Sequence, residues 1–310
     1  MSRPLRFGVQ CNGPTDAAEW MDMARKIEDL GYSTLSVADH FDNDLSPVPA
    51  LTAAAAATTT LRVGALVFAN DFRHPVVLAR DCATLDLMSG GRLELGLGAG
   101  WQRSDYDTTG IPYDRPGIRI DRLGEALSIL KSYFGGEPFD FTGDHYQISS
   151  FTGRPDVVQS PHPPILIGGG GRRILDLAGR EADIVGINPS LHAGRIDEEA
   201  GPTATADATD EKIGWIRAAA GARFSQIELQ TRIHIAAVTD DPRAMAEVVG
   251  PVLGISAQEA LDSPHSLVGE VSEIIEKVQA VRERYGISYF TWGRDSLDAM
   301  APVVARLAGT

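Results

Sequence analysis

Apolar residues fall in short runs along the chain, and these runs alternate with stretches in which apolar residues recur every three or four positions. Residues 5–11 read as a strand bounded by Pro4 and Gly13. Behind it, Asp16 and Glu19 form a capping pair, and Trp20, Met23, Ile27 and Leu30 repeat at helical spacing until Gly31. The same unit then recurs. A strand at 33–38 precedes the alanine-rich helix 50–57, and a β-branched strand at 61–68 precedes a helix that Pro75 opens and Ser89-Gly90-Gly91 closes. A fourth strand covers 92–97. The four strands start at residues 5, 33, 61 and 92, so the spacings are 28, 28 and 31, the length of one strand–helix unit. Near-continuous apolar strands alternating with helices predict a parallel sheet covered on both faces.

After the fourth strand the rhythm changes. Ile120, Leu123, Leu127 and Leu130 mark one face of a helix over 117–133, and the aromatic, Gly- and Pro-rich segment 139–163 reads as an inserted hairpin and loop. The unit resumes with a strand at 165–167, a helix to Gly179 and a strand at 183–187. Residues 190–210 are polar and acidic, and read as a lid or a poorly ordered excursion. A helix at 211–220, a strand at 227–237, a looser stretch, an amphipathic helix at 270–285, a strand at 287–292 and a closing helix at 296–308 complete the pattern. Eight strand–helix units predict a (β/α)8 or TIM barrel, one domain over residues 1–310 with insertions at 135–164 and 190–210. A doubly wound sheet is the alternative. Gly96, Gly98 and Gly100 superficially match a dinucleotide fingerprint, but 101–113 reads as loop where that motif needs a helix.

Charge narrows the function. The chain carries 28 Lys+Arg against 42 Asp+Glu, a formal net charge of -14, which argues against a nucleic-acid or anionic-membrane partner. No apolar run approaches the roughly 18 residues of a membrane span. The start, Met1 to Arg6, lacks the apolar core of a signal peptide, so a soluble cytoplasmic protein is expected. Cys11 and Cys82 cannot form a disulfide scaffold.

In a barrel the chemistry lies at the C-terminal ends of the strands. The second strand ends in Asp39-His40, an acid–base candidate or a strand-end histidine satisfied by backbone. Asp42 and Asp44 follow without a ligand spacing, so no metal site is expected. Gly168, Gly169, Gly170 and Gly171, followed by Arg172 and Arg173, link a strand to a helix, where free backbone N–H groups can hold a phosphate. Val67, Phe68, Ala69 and Asn70, with Gly98 and Ala99, offer backbone and small side chains where a flat ring could lie, or serve tight barrel packing. Trp101, Phe72 and Trp292 line a pocket or belong to the core. Cys11 could face the barrel mouth, without a matched histidine, and Cys82 sits in a helix.

Asn70-Asp71-Phe72-Arg73-His74-Pro75, together with the stretch from Leu85 through Met88-Ser89-Gly90-Gly91-Arg92 to Gly98-Ala99-Gly100-Trp101, resembles the luciferase-like monooxygenase superfamily, most closely the branch using the deazaflavin coenzyme F420. Asp39-His40, the run from Pro163 to Gly171 and Gly286-Ile287-Ser288-Tyr289-Phe290 support the match, which covers nearly the whole chain. The resemblance implies a barrel with an insertion after strand four and a cofactor at its C-terminal mouth. It implies Asp39 and His40 beside the ring, the Val67–Asn70 segment behind it with a non-prolyl cis peptide, and the Gly168–Gly171 loop around the phosphate. Relatives that oxidise sugar phosphates carry an acidic Glu after the Gly-rich fourth strand. This chain departs from them with Gln102-Arg103-Ser104-Asp105, and Asp105 is the substitute. The implied activity is hydride transfer between the deazaflavin C5 and a small-molecule substrate. The alternatives are a flavin mononucleotide (FMN) monooxygenase using reduced flavin and oxygen, and a non-catalytic cofactor-binding barrel. A homodimer is the family's common assembly. Coenzyme F420 is a polyanion, so Arg172 and Arg173 are expected to form a positive island on an acidic surface.

Overall fold

The structure, a computed structural model, describes residues 3–195 and 197–310. Met1 and Ser2, at the start read above for a leader, and Ile196, within the expected lid, lie outside the described residues. The first half runs β1 (Arg6–Gln10), α1 (Ala17–Asp29), β2 (Thr34–Val37), α2 (Pro47–Ala57), β3 (Arg62–Ala65), the two-residue β4 (Phe68–Ala69), α3 (Pro75–Ser89) and β5 (Leu93–Gly98). Helices α4 (Arg103–Thr109) and α5 (Pro116–Phe134) and the antiparallel hairpin β6 (Phe139–Thr142) and β7 (Gln147–Phe151) interrupt the rhythm. It resumes with β8 (Ile165–Gly169), α6 (Arg172–Glu181), β9 (Ile184–Ile187), α7 (Ala206–Ala220) and β10 (Glu228–Arg232). The chain then makes β11 (Ile235–Val238), α8 (Pro242–Val252), α9 (Ala257–Asp262), β12 (Ser266–Gly269), α10 (Val271–Tyr285), β13 (Ile287–Gly293) and α11 (Leu297–Leu307).

Eight parallel strands close on themselves in the order β3-β2-β1-β13-β10-β9-β8-β5, with β3 pairing to β5. This is the expected (β/α)8 barrel, with the hairpin inserted after its fourth strand. The helices dock by the apolar faces the sequence marks. In α1 the Asp16 carboxylate accepts from the Ala18 and Glu19 amides, Trp20, Ala24 and Ile27 are buried, and the Trp20 indole donates to the Ala50 carbonyl at 2.8 Å. Helix α3 ends where Gly90 takes a left-handed φ of 65°, as Ser89-Gly90-Gly91 predicts.

The inside of the barrel is polar and glycine-rich. Alternate residues of a strand share a face, so Arg6, Gly8 and Gln10 line the interior on β1, and Glu228, Gln230 and Arg232 line it on β10. Contacts agree at both ends. Arg6 bridges Glu94 (2.5 Å) and Glu228 (2.7 Å) at the bottom, with its guanidinium 3.7 Å above the Tyr289 ring, whereas Arg232 donates to Gln10 at the top.

Three local readings need correction. The strand expected over 227–237 is two strands, because Ile233 N–H still donates to Thr291 but His234 N–H turns to the His265 carbonyl, so β11 leaves the barrel to pair with β12. The looser stretch after it holds α8, α9 and β12. The loop expected at 101–113 contains α4, a seven-residue helix too short to show apolar periodicity and ended by Gly110 at φ 76°. Within 190–210, Gly201–Ala204 forms a 3-10 turn and Thr205 caps α7 by accepting from the Ala208 amide. The Lys212 ammonium pins that segment by donating to the Asn188 carbonyl (2.7 Å) and the Thr203 carbonyl. Among the described residues no helix is long and apolar enough to cross a membrane.

Candidate active site

The mouth of the barrel is shaped first by a bulge in its third strand. Gly64 pairs opposite Glu94 and Phe68 opposite Leu97, so four residues on one side advance against three on the other. The extra residue falls at the Leu66–Val67 peptide, which is cis and not prolyl. Val67 is left half-buried at the mouth, while Phe68, Ala69 and Asn70 are buried. Of the segment expected behind a ring, Val67 and Leu66 are therefore the side chains that reach the opening.

The neighbouring glycines make room for Val67. A Cβ on Gly98 would lie 2.6 Å from Val67 Cγ2, and one on Gly168 would lie 3.4 Å from Val67 Cγ1. A Cβ on Gly96 would come within 2.0 Å of the Ala65 carbonyl oxygen. For Gly96 and Gly98 the packing reading explains the residue type, because each lies against Ala65 or Val67 of the bulge. Ala99 is half-buried at the end of β5.

His40 projects from the end of β2. Its Nδ1 is 2.7 Å from Asp105 Oδ2, and the other Asp105 oxygen accepts from the Phe41 amide at 3.0 Å. Asp105 sits on α4 with only 3% of its surface exposed, and Gln102 Nε2 reaches it at 3.4 Å. The carboxylate thus holds Nδ1–H of the imidazole and leaves Nε2 for whatever enters the mouth. Trp101 packs edge-on against the His40 ring at 5.4 Å.

Asp39 does something else. Its carboxylate takes a bidentate pair of hydrogen bonds from Arg73, at 2.5 and 2.9 Å, and accepts from the Ala69 amide at 3.1 Å. It clamps the end of β2 to the strand segment that follows the bulge. The carboxylate that meets the His40 ring is therefore not its neighbour Asp39 but Asp105, distant in sequence, which α4 brings to the end of β2. Arg73 went unread as a partner, although it lies in the Asn70-to-Pro75 motif.

The four glycines that end and follow β8 divide by role. A Cβ on Gly169 would meet Ile174 at 2.4 Å and one on Gly170 would meet the Pro189 carbonyl oxygen at 2.2 Å, so both are required by packing. Gly171 has nothing within 4 Å of such a Cβ, and it caps α6 without a side-chain hydrogen bond. The first amides of α6 are open to an anion. The arginines are partly spent elsewhere. Arg173 pairs with Asp121 on α5 at 2.5 Å, and Arg172 lies 3.8 Å from Asp176.

Other expectations resolve into core. Trp292 is fully buried, packed against Phe7 and Tyr32. Cys11 is also buried, and loss of hydration pushes its thiol up to about 12. Among the described residues no group of three or more His, Cys, Asp and Glu is arranged to hold a metal ion.

Sequence reasoning missed a second feature of the mouth. Arg232 ends β10 with its side chain inside the barrel. Its Nε donates to Gln10 Oε1 at 2.9 Å, and Gln10 Nε2 donates to the carbonyl of Leu66 at 2.9 Å. The signal was available, since a charged residue at an inward position of a barrel strand needs a reason.

Helix-start amides, a bulged strand presenting aliphatic side chains and a carboxylate-held histidine share the C-terminal end of one barrel. That combination marks the C-terminal mouth as the candidate active site of a barrel enzyme. The luciferase-like monooxygenase family model matches residues 3–303, and the chain belongs to that family. Among curated relatives, an F420-dependent glucose-6-phosphate dehydrogenase from Microbacterium testaceum is 31% identical over 214 residues, 63% of this chain and 61% of the relative. An FMNH(2)-dependent dimethylsulfone monooxygenase from Pseudomonas putida is 32% identical over 142 residues, 46% of this chain and 39% of the relative. The matched stretches thus span less than two thirds of the length of either relative. In fold, the coenzyme F420-dependent tetrahydromethanopterin reductase from Methanopyrus kandleri superposes with a TM-score of 0.77 over 98% of each chain at 19% identity.

Proposed function

We propose that the protein is an F420-dependent oxidoreductase in which hydride passes between the deazaflavin C5 and a small organic substrate. The observation that carries this reading is the 2.7 Å hydrogen bond from His40 Nδ1 to buried Asp105 at the barrel mouth. Transfer of a hydride to or from a carbonyl or alcohol carbon requires a proton to move at the oxygen. A neutral imidazole whose Nδ1–H is held by a carboxylate presents Nε2 as the acceptor of that proton, and after protonation as its donor. The F420-dependent relatives support the choice of cofactor.

The residues present fit such a group. Gly171 leaves open space at a helix start that lacks a side-chain cap, as a phosphate cradle needs, and Arg172 adds charge beside it. Val67 offers an aliphatic face to one side of a planar ring, held forward by Gly98 and Gly168. When bound, the deazaflavin supplies the hydride chemistry. The chain's own residues orient ring and substrate, exclude water with Trp101 and the Phe41–Phe72 pair, and move the proton at His40.

The FMN-dependent relative favours a second reading, a monooxygenase using reduced flavin and oxygen. Titration of the purified protein with oxidised F420 and with FMN, followed by ligand fluorescence, separates the two. Saturable binding of F420 with weaker or no binding of FMN is expected. Binding of FMN alone would replace the first reading by the second. Binding of a cofactor with no turnover across a panel of alcohols, aldehydes and enones would favour a non-catalytic binding barrel.

A further inference from the structure

The top of the barrel interior holds a cation that the reading above does not use. Glu228, Gln230 and Arg232 lie on one face of β10, and the register sends Arg232 to the uppermost, catalytic layer. The matching arginine at the bottom, Arg6, is paired by Glu94 and Glu228. Arg232 has no such partner among the described residues. Its hydrogen bonds go to Gln10 Oε1 and to the backbone carbonyls of Ile233 and Thr291, none of them an anion. Its Nη2 donates to no protein group among the described residues and is not among the buried unpartnered atoms, so it faces the open mouth.

Basic groups stand near it, and among the described residues no carboxylate forms an ion pair with it. His234 follows two residues on and is exposed at the mouth. His265 packs 6.0 Å from it, 3% exposed, with Nδ1 2.8 Å from Thr231 Oγ1 and Nε2 without any partner. Burial brings the Arg232 guanidinium down to about 10. An arginine enclosed in protein without a counter-charge is costly, and an anion in contact with it offsets that cost. The planar guanidinium suits a two-oxygen partner. Gln10 also ties Arg232 to the Leu66 carbonyl of the bulge, so a group held there lies against the segment that would back a ring.

We propose that Arg232, with His234 beside it, docks an oxyanion of the substrate, a carboxylate, sulfonate or phosphate group on the molecule that reacts at the mouth. The assignment of this anion to the substrate rests on the proposed function, in which the cofactor's phosphate is held by the start of α6, behind a strand two positions from β10 in the barrel. The overall charge of -14 makes the island selective, because only a local cation can overcome the repulsion of an anion by the rest of the surface.

The test reads His234 directly and needs no activity. Protein labelled at histidine Cε1 gives seven imidazole signals, of which His234 is assigned by loss in a His234→Gln variant. Acetate, methanesulfonate and sulfate are titrated against chloride at matched ionic strength. A saturable shift of the His234 signal by at least one of the three, with its titration midpoint raised by the bound anion, is expected. Arg232→Gln, checked for folding by circular dichroism, should lose the response, and Arg232→Lys should retain part of it. An unmoved His234 signal in the unaltered protein would overturn the proposal whatever the variants do. So would a response that survives in Arg232→Gln. The titration is repeated in protein saturated with whichever of F420 or FMN it binds. Loss of the oxyanion response there would give the site to the cofactor and overturn its assignment to the substrate. Failure to bind F420 with the oxyanion response intact would instead count against the cofactor reading alone.

Discussion

On the proposed function, His40 and Asp105 divide one task between a group that meets the substrate and a group that holds it. His40→Ala removes the proton carrier and should lower turnover by about 10²-fold or more, the usual contribution of a positioned acid–base group. Asp105→Asn keeps the shape but loses a charge-assisted hydrogen bond of about 1.5–3 kcal/mol, which corresponds to roughly a 10- to 100-fold loss. Cofactor affinity, measured by fluorescence titration, should stay within about twofold in both, because neither side chain belongs to the phosphate cradle or the Val67 face. Equal losses in turnover and in cofactor binding would place His40 in binding rather than in proton transfer. Asp39 should behave differently from Asp105. Its bonds to Arg73 and Ala69 are structural, so its loss should show in stability as well as in activity.

At the scale of elements, the mouth depends on a strand bulge fitting beside two glycines. The Gly98 substitution to Ala places a methyl about 2.6 Å from Val67 Cγ2, inside any real contact distance. The resulting overpacking should cost about 1–3 kcal/mol in urea-induced unfolding. Adding Val67→Ala removes the clashing methyls and should restore most of that loss, so the two changes should be strongly non-additive. Simple additivity would mean that Gly98 is required for another reason. The elements themselves were largely legible, because a strand–helix period of about 30 residues and the stop signals at Gly31 and Gly90 follow from local chemistry. Helix α4 was not legible. Seven residues cannot display a helical period, yet that helix carries Asp105 to His40.

Across the whole molecule, the buried imidazole of His265, beside the end of β10, is expected to add to acid sensitivity. Burial, with the nearby charges of His234 and Lys212, holds His265 neutral well below the ordinary histidine range. The unfolded chain protonates that ring at about pH 6.5, so below this pH the unfolded state binds more protons and stability falls. Between pH 7 and pH 5 this one ring accounts for up to about 2 kcal/mol of lost stability. Urea unfolding at the two pH values should therefore show a smaller pH effect in His265→Gln than in the unaltered protein. Parallel losses in both would show that His265 does not carry the effect. The formal charge of -14 also acts at this scale. It disfavours anions except where a local cation is free to meet them; Arg172 and Arg173 have carboxylates beside them, whereas Arg232 has no carboxylate partner among the described residues.

The sequence by itself determined the barrel, its insertion and the strand ends where chemistry collects, because periodicity, caps and glycine stops act over a few residues. It also marked Asp39, His40, Asp105 and the Gly168–Gly171 loop as candidates. Only the tertiary structure decided which carboxylate meets His40, since Asp39 and Asp105 compete for it and the fold of α4 gives it to Asp105. Only closure of the barrel brought Gln10, Leu66 and Arg232 together from three strands. Contacts between residues 56 or 222 positions apart leave no local pattern, because their cause is the geometry of the closed sheet.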